Sequence, residues 1–180
     1  MISEQAKQRM RDLAARYPVA RSAVMPALYI AQQEEGYITQ AALEAVAQAI
    51  GMTVDDVESV ATFYTMYYQQ PPGKKVIKVC TSISCYLRNC DALVDHLEQR
   101  LGIKRGETTA DGNYTLMTAE CLASCGTAPV IQVNDEFVEN VTLDMADALI
   151  DEWDRELNAN IGTQFITSSS DQEISMPRAQ

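Results

Sequence analysis

Two pairs of cysteines, Cys80 with Cys85 and Cys121 with Cys125, constrain the fold of this chain more than any other feature. The pairs are spaced C-x4-C and C-x3-C, wider than the C-x2-C knuckles that usually close a structural zinc site. A [2Fe–2S] cluster presents two iron atoms, so two separated thiolate pairs suit it better. Thiolates select both zinc and iron–sulfur, so zinc and metal-free thiols stay open until geometry decides. If all four sulfurs share one site, the fold must bring together Cys85 and Cys121, which lie 36 positions apart.

The order of the chain supplies a way. Apolar residues at helical spacing, among them Leu13, Met25, Leu28 and Ile30, predict a helical bundle over residues 1–70. Thr39 is an expected N-cap, with Ile38 placed to staple against Leu43, and Gly51 an expected stop. Thr53 offers the next cap, with Asp55 and Asp56 in the favoured first turn. Gln69-Gln70-Pro71-Pro72-Gly73 then breaks the pattern.

A second region is expected over residues 74–158. Val76, Ile77 and Val79 form a short β-branched strand ending at Cys80, and an amphipathic helix through Leu93, Leu97 and Leu101 closes at Gly102. Strands follow at Tyr114–Thr118, at Pro129–Val133 and around Phe137, and Thr142 caps a last helix. The order reads β-α-β-β-β-α, or βαββα where neighbouring elements merge. A strand-helix-strand unit of this length is nearly always a right-handed crossover between parallel strands. Both cysteine pairs then emerge beyond the carboxyl ends of those strands, where α/β sheets commonly place ligands. Residues 159–180, with Ser168-Ser169-Ser170, read as a flexible tail.

Several function classes are excluded by what is scarce. The single histidine, His96, is too few for a zinc site built on two or three histidines or for a Rieske centre. It lies mid-helix and reads as a half-buried surface residue. There is no G-x-G-x-x-G after a strand and no G-x-x-x-x-G-K-[ST], so nucleotide binding by this chain is not expected. The formal net charge of −11 disfavours nucleic acid. Residues 1–79 balance eight basic against eight acidic side chains, whereas residues 80–180 hold six against seventeen. No stretch approaches the length of a membrane span, and the opening Met1-Ile2-Ser3 lacks a signal pattern, so a cytosolic protein is expected. Five cysteines in such a chain argue for metal or redox work rather than disulfides. Cys90 stands apart and reads as a small apolar filler at the start of its helix.

Taken together, Val60-Ala61-Thr62-Phe63-Tyr64-Thr65-Met66-Tyr67, the Cys80–Cys85 pair, Glu120-Cys121-Leu122-Ala123-Ser124-Cys125, and Ala128-Pro129-Val130 with Asn134-Asp135 closely resemble one family. It is the thioredoxin-like [2Fe–2S] ferredoxin family that provides the E-type subunit of NADH:quinone oxidoreductase, respiratory complex I. The likeness runs from roughly residue 5 to residue 157 and leaves out the tail.

The resemblance implies an α+β chain, with an N-terminal helical bundle followed by a thioredoxin-like domain whose Cys80, Cys85, Cys121 and Cys125 hold the [2Fe–2S] cluster. It implies an electron-transfer subunit that performs no chemistry of its own. FMN and NADH would be on a partner flavin subunit, with other iron–sulfur subunits of the peripheral arm nearby, on the cytoplasmic side of the inner membrane. Diaphorase modules of NAD-linked hydrogenases and formate dehydrogenases carry similar subunits. A free ferredoxin shuttle and a zinc-stabilised adaptor are the competing readings. The oxidised cluster with its thiolates is already an anion, so adding an electron beside an acidic domain predicts a low reduction potential.

Overall fold

A computed structural model describes residues 1–161. Four helices come first: α1 (Glu4–Ala14), α2 (Val24–Glu35), α3 (Gln40–Ile50) and α4 (Val54–Phe63). Their starts are set by local chemistry. The hydroxyl oxygens of Ser3, Thr39 and Thr53 accept hydrogen bonds from the backbone N–H groups of Ala6, Ala42 and Asp56 at 3.1, 3.0 and 3.2 Å. Each cap of this kind contributes about 1 kcal/mol. One face of each helix then enters a shared core that includes Met10, Leu28, Val46 and Val57, with Ile38 and Leu43 in the same cluster.

A second hydrophobic cluster belongs to a four-stranded sheet. Its strands are β1 (Lys75–Cys80), β2 (Tyr114–Ala119), β3 (Ile131–Val133) and β4 (Glu136–Val138). They lie in the order β2-β1-β3-β4, with β1 parallel to β2 and the other two pairings antiparallel. The four strands select the longer of the two element orders, and the β1–β2 crossover is parallel as expected. Between those strands run a short helix α5 (Ile83–Leu87) and α6 (Cys90–Leu101). The pattern does not foretell α5, because five residues are too few to show a helical period.

Thr142 starts the last helix, α7 (Leu143–Ile161), accepting from the N–H of Met145 at 3.2 Å. The helix continues through Ile161, past the point at which the sequence pattern starts a tail. The expected tail residues 162–180 lie outside the described residues. Helices α6 and α7 pack on each other, and Ile77, Leu93, Leu116 and Ile150 fill the space they enclose with the sheet. Trp153 of α7 meets Tyr114 at 6.5 Å between ring centroids, and the Tyr114 hydroxyl donates to Asp154 at 2.6 Å.

The two clusters are joined through residues 64–74. Lys78 of β1 places its ammonium 5.5 Å from the centre of the Tyr68 ring. Gly73 lies so close to β2 that a Cβ there would stand 2.6 Å from the carbonyl carbon of Tyr114. Only glycine fits that approach, and its N–H donates to the Thr115 hydroxyl at 2.6 Å. No helix among the described residues is long and apolar enough to cross a membrane.

Candidate metal centre

The parallel crossover carries both cysteine pairs to one edge of the sheet. Cys80 is the last residue of β1 and sits in register with Ala119, the last residue of β2. The chain leaves β1 through Thr81 and Ser82 into α5, whose third residue is Cys85. It leaves β2 through Glu120 into Cys121, then turns back at Ala123 and enters a single 3-10 turn, Cys125–Thr127. That turn packs on α5. Cys80 and Cys85 are buried, whereas Cys121 and Cys125 are exposed.

Cys80 is the hub of this edge. Its thiol feels the sulfurs of Cys85 and Cys121 and the N–H groups of Leu122 and Ser82, and its Sγ lies 4.0 Å from the Glu120 carbonyl. Burial pushes the Cys80 thiol up most strongly of any single influence, yet the two amides and the neighbouring thiols together hold it below its usual range. Cys85 goes the other way, raised to about 11 by burial first and by the Cys80 sulfur next, despite an amide from Val130. The N–H of Ala123 donates to the Cys121 sulfur at 3.3 Å. Ala123 achieves this with φ +61°, a left-handed conformation that costs a non-glycine residue about 1 kcal/mol.

Three of the expected ligands are therefore linked through the Cys80 sulfur. Cys125 stands on the adjoining turn, and no hydrogen bond joins its sulfur to the others among the described residues. Nor are three or more His, Cys, Asp or Glu side chains among the described residues gathered tightly enough for a single metal ion. A structural zinc site draws four ligands onto one ion, whereas a two-iron cluster asks each iron for two thiolates. The donor set fits the second demand: four soft sulfurs in two pairs, with backbone amides aimed at three of them. Amides of this kind stabilise the charge on thiolate sulfur.

The remaining candidates fall outside. Cys90 is fully buried at the start of α6, and its thiol is raised, by burial foremost. It fills the core, as a small apolar residue does. His96 is half-buried and lies 2.9 Å from Asp147 on α7, which Arg100 also approaches at 3.6 Å. Those contacts tie α6 to α7 away from the cysteines.

Two features of the centre escape the sequence pattern. One is the exposed trio Ile83, Tyr86 and Leu87 on α5. The other is the Ala123 turn, which no glycine or asparagine announces. Charge near the cysteines is confined to a few positions: residues 80–90 hold Arg88 alone and residues 121–134 hold none, while exposed Glu120 precedes Cys121 and Glu139 reaches Ser124.

Known proteins resemble the chain along most of its length. The sequence pattern of the thioredoxin-like [2Fe-2S] ferredoxin family matches residues 10–154. An E-type NADH-quinone oxidoreductase subunit of Rhizobium meliloti is 45% identical over 147 residues, covering 82% of this chain and 88% of its own length. The NADH-quinone oxidoreductase subunit 2 of Thermus thermophilus is 44% identical over 144 residues, covering 78% of this chain and 80% of its own. For the E-type subunit of Mycobacterium bovis the identity is 43%, and the match spans 56% of that longer protein. Among solved structures, an NAD+-reducing [NiFe]-hydrogenase in the air-oxidized state shares the fold with a TM-score of 0.64. The hydrogenase match is 22% identical and covers 72% of this chain and 23% of the hydrogenase chain.

Proposed function

The chain belongs to the thioredoxin-like [2Fe-2S] ferredoxin family, and from that premise we propose that it is the iron–sulfur electron-transfer subunit of an NADH:quinone oxidoreductase. Cys80, Cys85, Cys121 and Cys125 hold the [2Fe–2S] cluster in this reading. The observation that carries the assignment is the register of Cys80 with Ala119, which brings both pairs to one sheet edge under a set of backbone amides. Curated relatives at 43–45% identity favour the quinone-linked complex over the hydrogenase, whose 22% likeness speaks for the fold alone.

When bound, the cluster supplies one-electron transfer. The chain's own part is to hold and tune it. The Leu122 and Ser82 amides oppose the proton that Cys80 must shed to bind iron, and the Val130 amide does the same at Cys85. The buried flank formed with Cys90, Leu93 and Ala128 keeps water from one side, while the exposed Cys121 and Cys125 leave the other side open to a donor.

That donor is a flavin subunit carrying FMN and NADH, docked within the peripheral arm on the cytoplasmic side. The exposed apolar trio Ile83, Tyr86 and Leu87 on α5, beside Cys85, supports this. An acidic chain that keeps charge away from one apolar face spares that face the cost of burying unpaired charge in an interface.

The reading is tested by iron, sulfide and zinc content of the anaerobically purified chain, with an EPR spectrum after dithionite reduction. Equal iron and sulfide with a one-electron rhombic signal is the expected result. Zinc with a silent spectrum would leave a structural site in place of an electron carrier.

A further inference from the structure

The second cysteine pair stands on a turn that is held from outside. Ser124, between Cys121 and Cys125, donates its hydroxyl to Oε1 of Glu139. The Thr127 hydroxyl lies 2.8 Å from the same Ser124 oxygen and 3.2 Å from the Ser124 carbonyl. Glu139 is the first residue beyond β4, and its two successors grip the same segment through the backbone. Asn140 N–H donates to the Thr127 carbonyl at 2.8 Å, and Val141 N–H donates to the Pro129 carbonyl at 3.0 Å.

The turn has little to hold it by itself. Ala123 at φ +61° sits in a region that alanine disfavours, so the conformation has to be imposed by surrounding bonds. One of those bonds, from the Ser124 hydroxyl, ends on a carboxylate, that of Glu139. Within the segment from Cys121 to Asn134 there is no charge at all, so Glu139 is the ionised group bonded to the loop. A negative charge there disfavours the arrival of an electron on the metal the loop presents.

Building on the ligand assignment above, we propose that Glu139 is a positioning residue for the cluster. Through Ser124 and Thr127 it fixes the turn that presents Cys121 and Cys125, and its charge on that turn lowers the reduction potential. The two effects separate by substitution. Glu139→Gln keeps an acceptor for the Ser124 hydroxyl but removes the charge, whereas Glu139→Ala removes both.

The experiment uses the full-length chain, reconstituted anaerobically with iron and sulfide, and an EPR-monitored redox titration at low ionic strength. Glu139→Gln should retain the wild-type iron content and shift the midpoint upward. Glu156→Gln on α7, which removes an equal charge paired with Lys75 at the opposite end of β1 from Cys80, should shift it less. Glu139→Ala and Ser124→Ala should lose iron faster than Glu139→Gln when challenged with a chelator. Wild-type midpoints in Glu139→Gln, or wild-type iron retention in Glu139→Ala, would overturn the corresponding half of the proposal. If Glu139→Gln binds no iron, Glu139→Asp decides: restored iron supports the role of the charged clamp, and none refutes it. A wild-type chain without iron and sulfide would instead overturn the ligand assignment beneath it.

Discussion

Cys80 and Ala119 face each other as the last residues of two parallel strands, so Cys121 leaves the sheet two residues beyond the partner of Cys80. On the proposed assignment, this relationship makes the ligand set a property of the topology. Cys80→Ala or Cys121→Ala should abolish the visible absorption and the iron content of the purified chain. Cys90→Ser should leave both in place, since its sulfur fills the core beneath α6. Loss of the chromophore in the Cys90 variant would redraw the ligand set.

Ala123 tests the turn between the outer cysteines. Its positive φ predicts that Ala123→Gly keeps the cluster and gains up to about 1 kcal/mol of local stability. Ala123→Val, β-branched in a left-handed conformation, should cost more than that and reduce iron occupancy. Iron-to-protein ratios beside thermal melts would resolve the two directions.

The exposed trio on α5 tests docking. Leu87 is 76% exposed, so Leu87→Asp should leave the melting temperature of the chain unchanged. Burying that carboxylate in an interface should weaken capture by the flavin subunit by roughly tenfold or more, on the order of 2 kcal/mol. Undiminished binding would move the interface elsewhere.

Phe63 and Tyr67 share one aromatic run yet differ in what they do. Phe63 is 74% exposed and stacks edge-on against Tyr64 at 5.0 Å, whereas Tyr67 is 4% exposed and donates its hydroxyl to the Met25 carbonyl at 2.8 Å. Tyr67→Ala should destabilise the helical region by about 3 kcal/mol, and Phe63→Ala by well under about 1 kcal/mol. Denaturant melts of the two variants make the comparison.

Glu98 gives the fold a measurable acid dependence. Its carboxylate accepts from Lys104 Nζ at 2.7 Å, from the Arg105 amide at 3.1 Å and from Arg105 Nε at 3.0 Å. Lys104 first, then Arg105, lower its pKa from the ordinary 4.5 to about 2. Between those values the unfolded chain binds the proton and the folded chain does not. The stabilisation is therefore complete above pH 4.5 and fades as pH falls towards 2. The gap in stability between the native chain and Glu98→Gln should narrow across that window.

Much of this architecture is legible in the sequence because its signals are local. Thr39, Thr53 and Thr142 cap the helices they precede, Gly51 and Gly102 close the helices they follow, and the β-branched run of β1 ends at Cys80. The approach of Cys121 to the Cys80–Cys85 pair is legible one step further out, through the handedness of the crossover. What stays hidden depends on longer reach or on no propensity at all. Helix α5 is too short for a period. Tyr67 enters the core after α4 has ended at Phe63, so helical spacing does not tell their surroundings apart. Ala123 adopts a conformation its side chain does not favour, and Glu139 finds Ser124 across fifteen residues.

Strand β2 lies beside β1 only after the whole crossover has been made. A ribosome that has released the chain as far as Cys85 has delivered one cysteine pair without the other. The second pair begins to emerge 36 residues later, and the Glu139 brace later still. On the proposed ligand assignment, four sulfurs can enclose a cluster only after that second pair has emerged, when most of the second region has already been made.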